Sequence, residues 1–140
     1  MTQPSNNIQQ LQRLHPRRNE SVFWSGSREV IANGTGATRS LQDDARQFAT
    51  NNGKKTLDMA ISDLGITPPT HSREATEFWV TASRIWAERS QGIVFAVLGF
   101  GRNVNPDSIW FQVERPILMD ENRHVTQVNE YTVKFDSCVI

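Results

Sequence analysis

The chain has 140 residues, and its 15 basic and 15 acidic side chains give a formal net charge of zero. This length suits one domain with a core of its own. The balanced charge argues against a nucleic-acid partner, because nucleic-acid binding usually requires a basic surface. The single cysteine, Cys138, cannot form an internal disulfide, so the fold does not depend on an oxidising compartment.

The N-terminal residues are polar and lack the apolar segment of a signal peptide. No apolar run approaches the roughly 20 residues that cross a bilayer. We therefore expect a protein that acts in the cytoplasm and has no membrane partner, and export by a route that leaves no such segment stays open. Residues 1–20 predict a loose polar arm with a short helical turn around residues 8–14, and residues 21–140 predict a single domain.

The first half of the chain carries helical patterns. Residues 41–49 predict a helix with Ser40 as its N-cap, and residues 57–64 predict a second one. A third helix is predicted from a cap at Thr70 or Ser72 up to Gly92. It carries a buried stripe at helical spacing, formed by Ala75, Phe78, Ala82, Ile85 and Trp86.

The second half carries strand patterns. Residues 93–98 are apolar throughout and predict a central strand that is covered on both sides. Residues 131–135 alternate and predict a further strand, with residues 125–128 as a candidate extension of it. Together these elements predict an α/β fold, in which a helical N-terminal half packs on a small, largely parallel sheet flanked by helices.

Residues 108–114 are predicted to form another strand, with two different faces. Because successive side chains of a strand alternate, one face is apolar and the other is polar, carrying Ser108, Trp110, Gln112 and Glu114. Trp79 and Ser83 lie four residues apart on the third helix, so they can contact one ligand together. A polar strand face beside such a helix predicts a binding pocket.

These motifs, taken in order, resemble those of the ADP-ribosyl cyclase and NAD glycohydrolase family. In that family a helix that opens with FW-x-x-x-S passes through an Ala-Glu pair into an apolar strand, and a Ser-bearing strand ending in Val-Glu follows. Upstream the family has a Trp-Ser pair and a Leu-Glu-Asp helix start. Here the helix motif is Phe78-Trp79 with Ser83, and the Ala-Glu pair is Ala87-Glu88. Residues 93–98 correspond to the apolar strand and residues 108–114 to the element that ends in Val-Glu. Upstream, Phe23-Trp24-Ser25 contains the Trp-Ser pair, and Leu41-Gln42-Asp43 lies near the position of the Leu-Glu-Asp helix start.

The resemblance covers about residues 20–118 and implies an enzyme that cleaves the nicotinamide–ribose bond of NAD. Such cleavage leaves a ribosyl cation, so the site must stabilise positive charge rather than supply a strong acid. The resemblance implies Glu114 as the stabilising carboxylate and Trp24 and Trp79 as flanks of the cationic nicotinamide ring. Gln42 and Asp43 are further implied substrate-binding residues. The diphosphate is expected to bind to the hydroxyls of Ser25, Ser83 and Ser108 and to the backbone N–H groups around Ile109 and Trp110. Since NAD is the substrate, neither a cofactor nor a metal is expected.

Two departures from the family pattern change what is expected. The animal members carry many disulfides, whereas a chain with one cysteine suits a compact relative that works in a reducing cytosol. Such a relative is expected to be an NAD-depleting effector or toxin domain. A cognate inhibitor or immunity protein is then expected as its partner. Gln42 stands where the family has Glu, at a position that helps to balance cyclisation against hydrolysis. An amide accepts a hydrogen bond but carries no charge, and Asp43 is the neighbouring acid.

Other interpretations of the same residues stay open. Without the resemblance, Trp79 is interpreted as a core residue of its helix, and Trp24 as a residue that fills the space between the two halves of the domain. Glu114 is then interpreted as a solvent-exposed carboxylate at the end of a strand. A second hypothesis is a catalytically degenerate domain of the same fold that binds a nucleotide or a protein, which Gln42 favours. An RNA-binding or RNA-cleaving domain is disfavoured by the zero net charge and by the lack of a histidine acid–base pair.

Overall fold

The computed structural model describes residues 8–29, 38–100 and 104–133. Its centre is a four-stranded sheet in the order β4-β1-β5-β6, in which every neighbouring pair is parallel. Strands β2 and β3 form a separate antiparallel ladder beside it. The strands are β1 (Ser21–Ser25), β2 (Ser27–Glu29), β3 (Thr38–Ser40), β4 (Lys55–Thr56), β5 (Gly92–Gly99) and β6 (Val125–Val133).

Beside the sheet the described residues form a short 3-10 helix, Leu11–Arg13, where a helical turn was predicted. They also form four longer helices, so the predicted α/β class with a largely parallel sheet is confirmed. The longer helices are α1 (Gln42–Asn51), α2 (Leu57–Asp63), α3 (Ser72–Arg89) and α4 (residues 109–121). None of these helices of the described chain has the length and apolar character needed to cross a membrane.

The sheet has a hydrophobic cluster on each face, as its all-parallel pairing requires. On one face Phe23, Val94 and Ala96 pack with α3, whose predicted stripe is buried from Phe78 to Trp86, although Ala75 is partly exposed. On the other face Val22 and Val97 pack against residues of α1 in a smaller cluster, completed by Leu41, Ala45 and Ala49. The prediction that β5 is covered on both sides is therefore confirmed.

The ends of α1 and α3 differ in detail from the predictions. The residue at the N-cap position of α1 is Leu41, and the hydroxyl of Ser40, one residue earlier, accepts a hydrogen bond from the Gln42 N–H (3.1 Å). His71 holds the N-cap position of α3 without a side-chain bond. This helix ends at Arg89, and Gly92 instead begins β5 with φ of 73°. A Cβ there would clash with Oδ1 of Asn19, so a larger residue would both strain the backbone and displace that side chain.

The prediction of a strand over residues 108–114 is wrong, because this segment forms the first half of α4. Its buried side chains follow helical spacing over a longer window than the predicted strand, at Trp110, Glu114, Ile117 and Leu118. The alternating pattern could not exclude a helix, since residues four apart share a face in both structures. The backbone is wound as a π-helix over Trp110–Glu114 and Ile117–Glu121. Pro116 lies between these two π-helical segments, and because proline has no N–H, it cannot donate a helical hydrogen bond there.

Residues 8–20, for which a loose arm was predicted, pack on the domain. Leu11 and Leu14 are fully buried in the larger cluster. The guanidinium of Arg89 donates hydrogen bonds to the carbonyls of Gln12 (2.7 Å) and Leu14 (2.8 Å), which fastens this segment to the end of α3. At the other end of the chain β6 joins the two predicted strand segments, and Phe135 lies outside the described residues.

Candidate active site

A cavity of about 790 Å³ lies at the carboxyl end of β1. From β1 the chain passes to β4 on one side and then to β5 on the other, so the strand order reverses at β1. In parallel α/β sheets ligands bind beyond the carboxyl ends of the strands at such a reversal. The volume falls within the range of small-molecule sites, so this cavity is the candidate site.

The three side chains predicted as the catalytic centre, Trp24, Trp79 and Glu114, all line this cavity. Trp24 lies on β1 and contacts the smaller cluster, on the α1 side of the sheet. Trp79 lies on α3 and contacts the larger cluster, with its ring edge-on to Phe78 at a centroid distance of 5.2 Å. Both indoles are only half-buried. They therefore keep aromatic surface available to a ligand from opposite sides of the sheet.

Glu114 is a buried carboxyl group with 6 % of its surface exposed. Burial raises its pKa from 4.5 to about 8, because a charged carboxylate loses its water there, and a hydrogen bond with the side chain of Ser83 lowers the pKa in part. In the free protein Glu114 is thus mostly protonated at neutral pH. A cation placed beside it in the cavity would favour the ionised form.

Trp110 lies four residues before Glu114 and forms a wall between the cavity and the core. It is almost fully buried and packs on Phe23 with ring centroids 5.4 Å apart. Its indole Nε1 has no hydrogen-bond partner within the described part of the chain. Trp110 touches the cavity, but most of its surface belongs to the larger cluster.

Two serine hydroxyls meet at the floor of the cavity. Oγ of Ser25, the last residue of β1, lies 2.7 Å from Oγ of Ser108, which immediately precedes α4. Ile109, the first residue of α4, also lines the cavity, as does Ser83. These residues, which the sequence resemblance assigned to one site, thus line one cavity, although Ser108 and Ile109 were predicted to lie on a strand.

The start of α1 contributes one of the two predicted polar residues. Gln42 lines the cavity, whereas Asp43 is exposed and is not among the lining residues. The next acid, Asp44, faces the hairpin of β2 and β3 instead, where its Oδ1 lies 3.4 Å from Arg28 and 3.7 Å from Arg39. Of the two positions implied by the resemblance at this helix start, only Gln42 therefore faces the cavity.

Sequence reasoning missed two charged residues of the cavity, Arg39 and Asp58. Asp58 lies in the first turn of α2, where it accepts hydrogen bonds from the side chains of Thr56 (2.8 Å) and Arg46 (2.5 Å). Arg39 lies on β3, and only the pairing of β3 with β2 carries it to the cavity. No local pattern marks either residue. Among the described residues no group of three or more His, Cys, Asp or Glu side chains is placed to hold a metal ion.

Several solved structures are similar to this one. A structure of Aplysia cyclase complexed with substrate NGD and product cGDPR superposes with a TM-score of 0.57 at 22 % identity, covering 84 % of this chain and 50 % of that one. A structure of CD38, described as a covalent enzyme–substrate complex, gives a TM-score of 0.59 at 18 % identity, covering 90 % and 57 % respectively. The chain has the ADP-ribosyl cyclase fold.

The resemblance in sequence is thus confirmed at the level of the fold. A further ADP-ribosyl cyclase structure, complexed with N1-cIDPR, superposes with a TM-score of 0.54 over 83 % of this chain. The chain spans about half the length of these cyclase-fold proteins. No family model and no curated protein matches it in sequence.

Proposed function

We propose that this protein is an NAD glycohydrolase that cleaves the nicotinamide–ribose bond and releases nicotinamide and ADP-ribose, with some cyclic ADP-ribose. The observation that carries the proposal is the convergence of Glu114, Trp24 and Trp79 on one cavity of a cyclase-like fold. Structures of similar fold were solved in complex with NGD, cGDPR and N1-cIDPR, which supports a small dinucleotide as the ligand class.

The two indoles and the carboxyl group suit different parts of the proposed reaction. The nicotinamide ring of NAD is cationic, so it gains cation–π stabilisation between the faces of Trp24 and Trp79. Its positive charge favours ionisation of Glu114, and the released proton goes to solvent. The C1′–N bond then breaks with its electron pair leaving on nicotinamide, and the ionised Glu114 stabilises the ribosyl cation. Attack by water gives ADP-ribose, and attack by the adenine gives the cyclic product.

Ser83 acts on Glu114 rather than on the substrate in this proposal. Its hydrogen bond with the carboxyl group opposes the effect of burial on the pKa. The bond favours the ionised form and fixes its orientation. Because the group must ionise, kcat/KM for NAD should rise as the pH increases through the free-protein pKa of about 8.

The direct test is to incubate the purified protein with NAD and to separate the products by chromatography. We expect nicotinamide and ADP-ribose, and no such release from Glu114→Gln. Glu121→Gln is the matched control, since Glu121 is an exposed acid on the same helix outside the cavity. Nicotinamide release that is no greater from the wild-type protein than from Glu114→Gln would reject the function.

We also propose that the enzyme acts in the cytoplasm as an NAD-depleting toxin or effector domain, with a cognate inhibitor in the producing cell. Its single cysteine suits a reducing compartment. Induced expression in a host cell should lower cellular NAD and arrest growth, and Glu114→Gln should do neither. Growth arrest that persists with Glu114→Gln would show that the toxicity has another origin.

A catalytically degenerate nucleotide-binding domain is the second candidate, and Gln42 is the observation that favours it. Gln42 lines the cavity at the position of the family's acid and carries no charge. In that case titration calorimetry should show binding of ADP-ribose, while nicotinamide release from NAD stays at the background rate. Turnover at a rate well above that background would exclude this candidate.

A further inference from the structure

The cavity lining has an uneven distribution of charge. Two acids, Glu114 and Asp58, line it, and Arg39 is its one cation among the residues that the structure describes. Glu114 is buried, whereas the Arg39 side chain is 47 % exposed on the β2–β3 hairpin. The cavity therefore extends from a buried acid to a cation near its mouth.

Arg39 is only loosely held in place. Its guanidinium Nη2 lies 3.7 Å from Oδ1 of Asp44, too far for a strong hydrogen bond. The same oxygen lies 3.4 Å from Nη1 of Arg28, whose side chain is mostly buried. Asp44 would thus keep a cationic neighbour if Arg39 turned away. Arg39 can move towards an anion without leaving a carboxylate unpaired.

The ladder itself places two like charges together. Arg28 and Arg39 occupy directly opposite positions in the β2–β3 pairing. Like charges at such positions repel each other, and the shared Asp44 offsets part of that repulsion. An anion bound by Arg39 would relieve it further, so the free protein already favours anion binding at this point.

We propose that Arg39 is the specificity-determining residue that binds the phosphate groups of the substrate at the mouth of the cavity. This inference rests on the proposed function in so far as it takes the ligand to be a dinucleotide. A dinucleotide that carries NAD's charges has a cationic ring at one end and a diphosphate in its middle. Its cationic ring then lies towards Glu114 and its diphosphate towards Arg39, where the fork of a guanidinium can bind two phosphate oxygens.

The first test measures equilibrium binding, with ADP as the phosphate-bearing probe and adenosine as the probe that lacks phosphate. Arg39→Ala should weaken ADP binding about tenfold and leave adenosine binding unchanged, since hydrogen bonds to charged groups are worth this much. Lys55→Ala is the matched control, because Lys55 is a half-exposed cation in an ion pair with Asp63 outside the cavity. It should leave the binding of both probes unchanged.

Two outcomes of the binding test would overturn the inference. One is an ADP affinity within twofold of that of the wild-type protein in Arg39→Ala. The other is an equal loss of ADP and adenosine binding, which would mean that Arg39 shapes the cavity rather than binds phosphate. Arg39→Lys should recover part of the ADP affinity, because it keeps the charge without the planar fork.

The second test is kinetic and separates this inference from the proposed function. Arg39→Ala should raise KM for NAD about tenfold with kcat little changed, and should leave KM for nicotinamide riboside, which lacks phosphate, unaltered. If the wild-type protein cleaves neither compound but ADP binding depends on Arg39, the glycohydrolase proposal fails and this inference stands. If NAD is cleaved and Arg39→Ala leaves the KM for NAD unchanged, the glycohydrolase proposal stands and the inference about Arg39 fails.

Discussion

The cavity has two walls of different character. The inner wall consists of Trp79, Ser83 and Glu114 on α3 and α4, and Ser83 and Glu114 are almost completely buried. The outer wall consists of Arg39 on β3 and Gln42 at the start of α1, and both side chains keep contact with solvent. Helices packed on the sheet fix the inner wall, whereas a three-residue ladder carries Arg39 on the outer one.

Because of this difference in burial, we expect one wall to act on the reacting bond and the other to act on substrate selection. A carboxyl group on the inner wall has a strongly raised pKa and can respond to a single cation, since little water screens it. Charges on the outer wall are partly screened by water, so each of them acts more weakly than a buried charge on the inner wall. We therefore expect substitutions of the two buried inner-wall residues, Ser83 and Glu114, to alter the rate of the chemical step. Substitutions of the half-buried Trp79 and of the outer wall should alter substrate affinity or product choice.

The largest effect is expected from Glu114→Gln. The amide fills the same space but cannot ionise, so the ribosyl cation loses its stabilising charge. We expect kcat for nicotinamide release to fall about 1000-fold or more, with the near-ultraviolet circular dichroism of the folded protein retained. A kcat within tenfold of that of the wild-type protein would remove Glu114 from the mechanism.

The same variant tests the raised pKa through stability. A carboxyl group whose folded-state pKa exceeds its unfolded value contributes fully to stability below pH 4.5, and this contribution is lost as the pH rises through about 8. Glu114→Gln has no such loss. Its free energy of unfolding should therefore match that of the wild-type protein below about pH 4 and exceed it at pH 9, by several kcal/mol at about 1.4 kcal/mol per pKa unit. Equal pH dependence in the two proteins would contradict the burial of the charge.

Two tryptophans of α3 offer the next comparison. Trp79→Ala should raise KM for NAD about tenfold, because one aromatic flank of the cationic ring is lost. Its stability should fall much less than that of Trp86→Ala, since Trp86 is fully buried in the larger cluster and its loss costs about 3–5 kcal/mol. Chemical denaturation and steady-state kinetics on both variants check this contrast. The result that contradicts it is a large stability loss in Trp79→Ala with an unchanged KM.

The sequence predicted the inner wall better than the outer one. Trp79 and Ser83 lie four residues apart on a strongly periodic helix, so their common face followed from local spacing alone. Ser108, Trp110 and Glu114 were also placed together, but on a strand. The helical repeat becomes distinguishable from the alternating pattern of a strand only at Ile117 and Leu118, which are buried and lie beyond the predicted strand of residues 108–114.

The outer wall depends on long-range pairing, which local patterns do not contain. Arg39 reaches the cavity because β3 pairs with β2, and Asp43 misses it because the first turn of α1 presents Gln42 to the cavity instead. The burial of Leu11 and Leu14 has the same origin. Their polar neighbours predicted a loose arm, whereas Arg89, at the far end of α3, donates hydrogen bonds to backbone carbonyl groups of this segment.

A smaller effect is expected from Ser83→Ala on the inner wall. Loss of its hydrogen bond raises the pKa of Glu114 further, so less of the carboxyl group is ionised at neutral pH. The rising limb of kcat/KM for NAD should move to higher pH, with a loss of about fivefold at pH 7 that shrinks towards pH 9. Thr76→Ala is the control, because the Thr76 hydroxyl bonds only to the backbone of the same helix, at the Ser72 carbonyl. A uniform loss at every pH would instead indicate a packing defect.

The smallest effect is expected on the outer wall, from Gln42→Glu. A carboxylate can accept a proton from an attacking water, which an amide does not, so the ratio of ADP-ribose to cyclic ADP-ribose should rise. Because the position is only half-buried, the new charge is worth less than about 1 kcal/mol, which corresponds to a two- to fivefold change in the ratio. Gln47→Glu places the same charge on an exposed position of α1 outside the cavity and should leave the ratio unaltered. Equal ratios in the two variants would mean that the start of α1 does not contact the reacting ribose, and that product choice is decided on the inner wall.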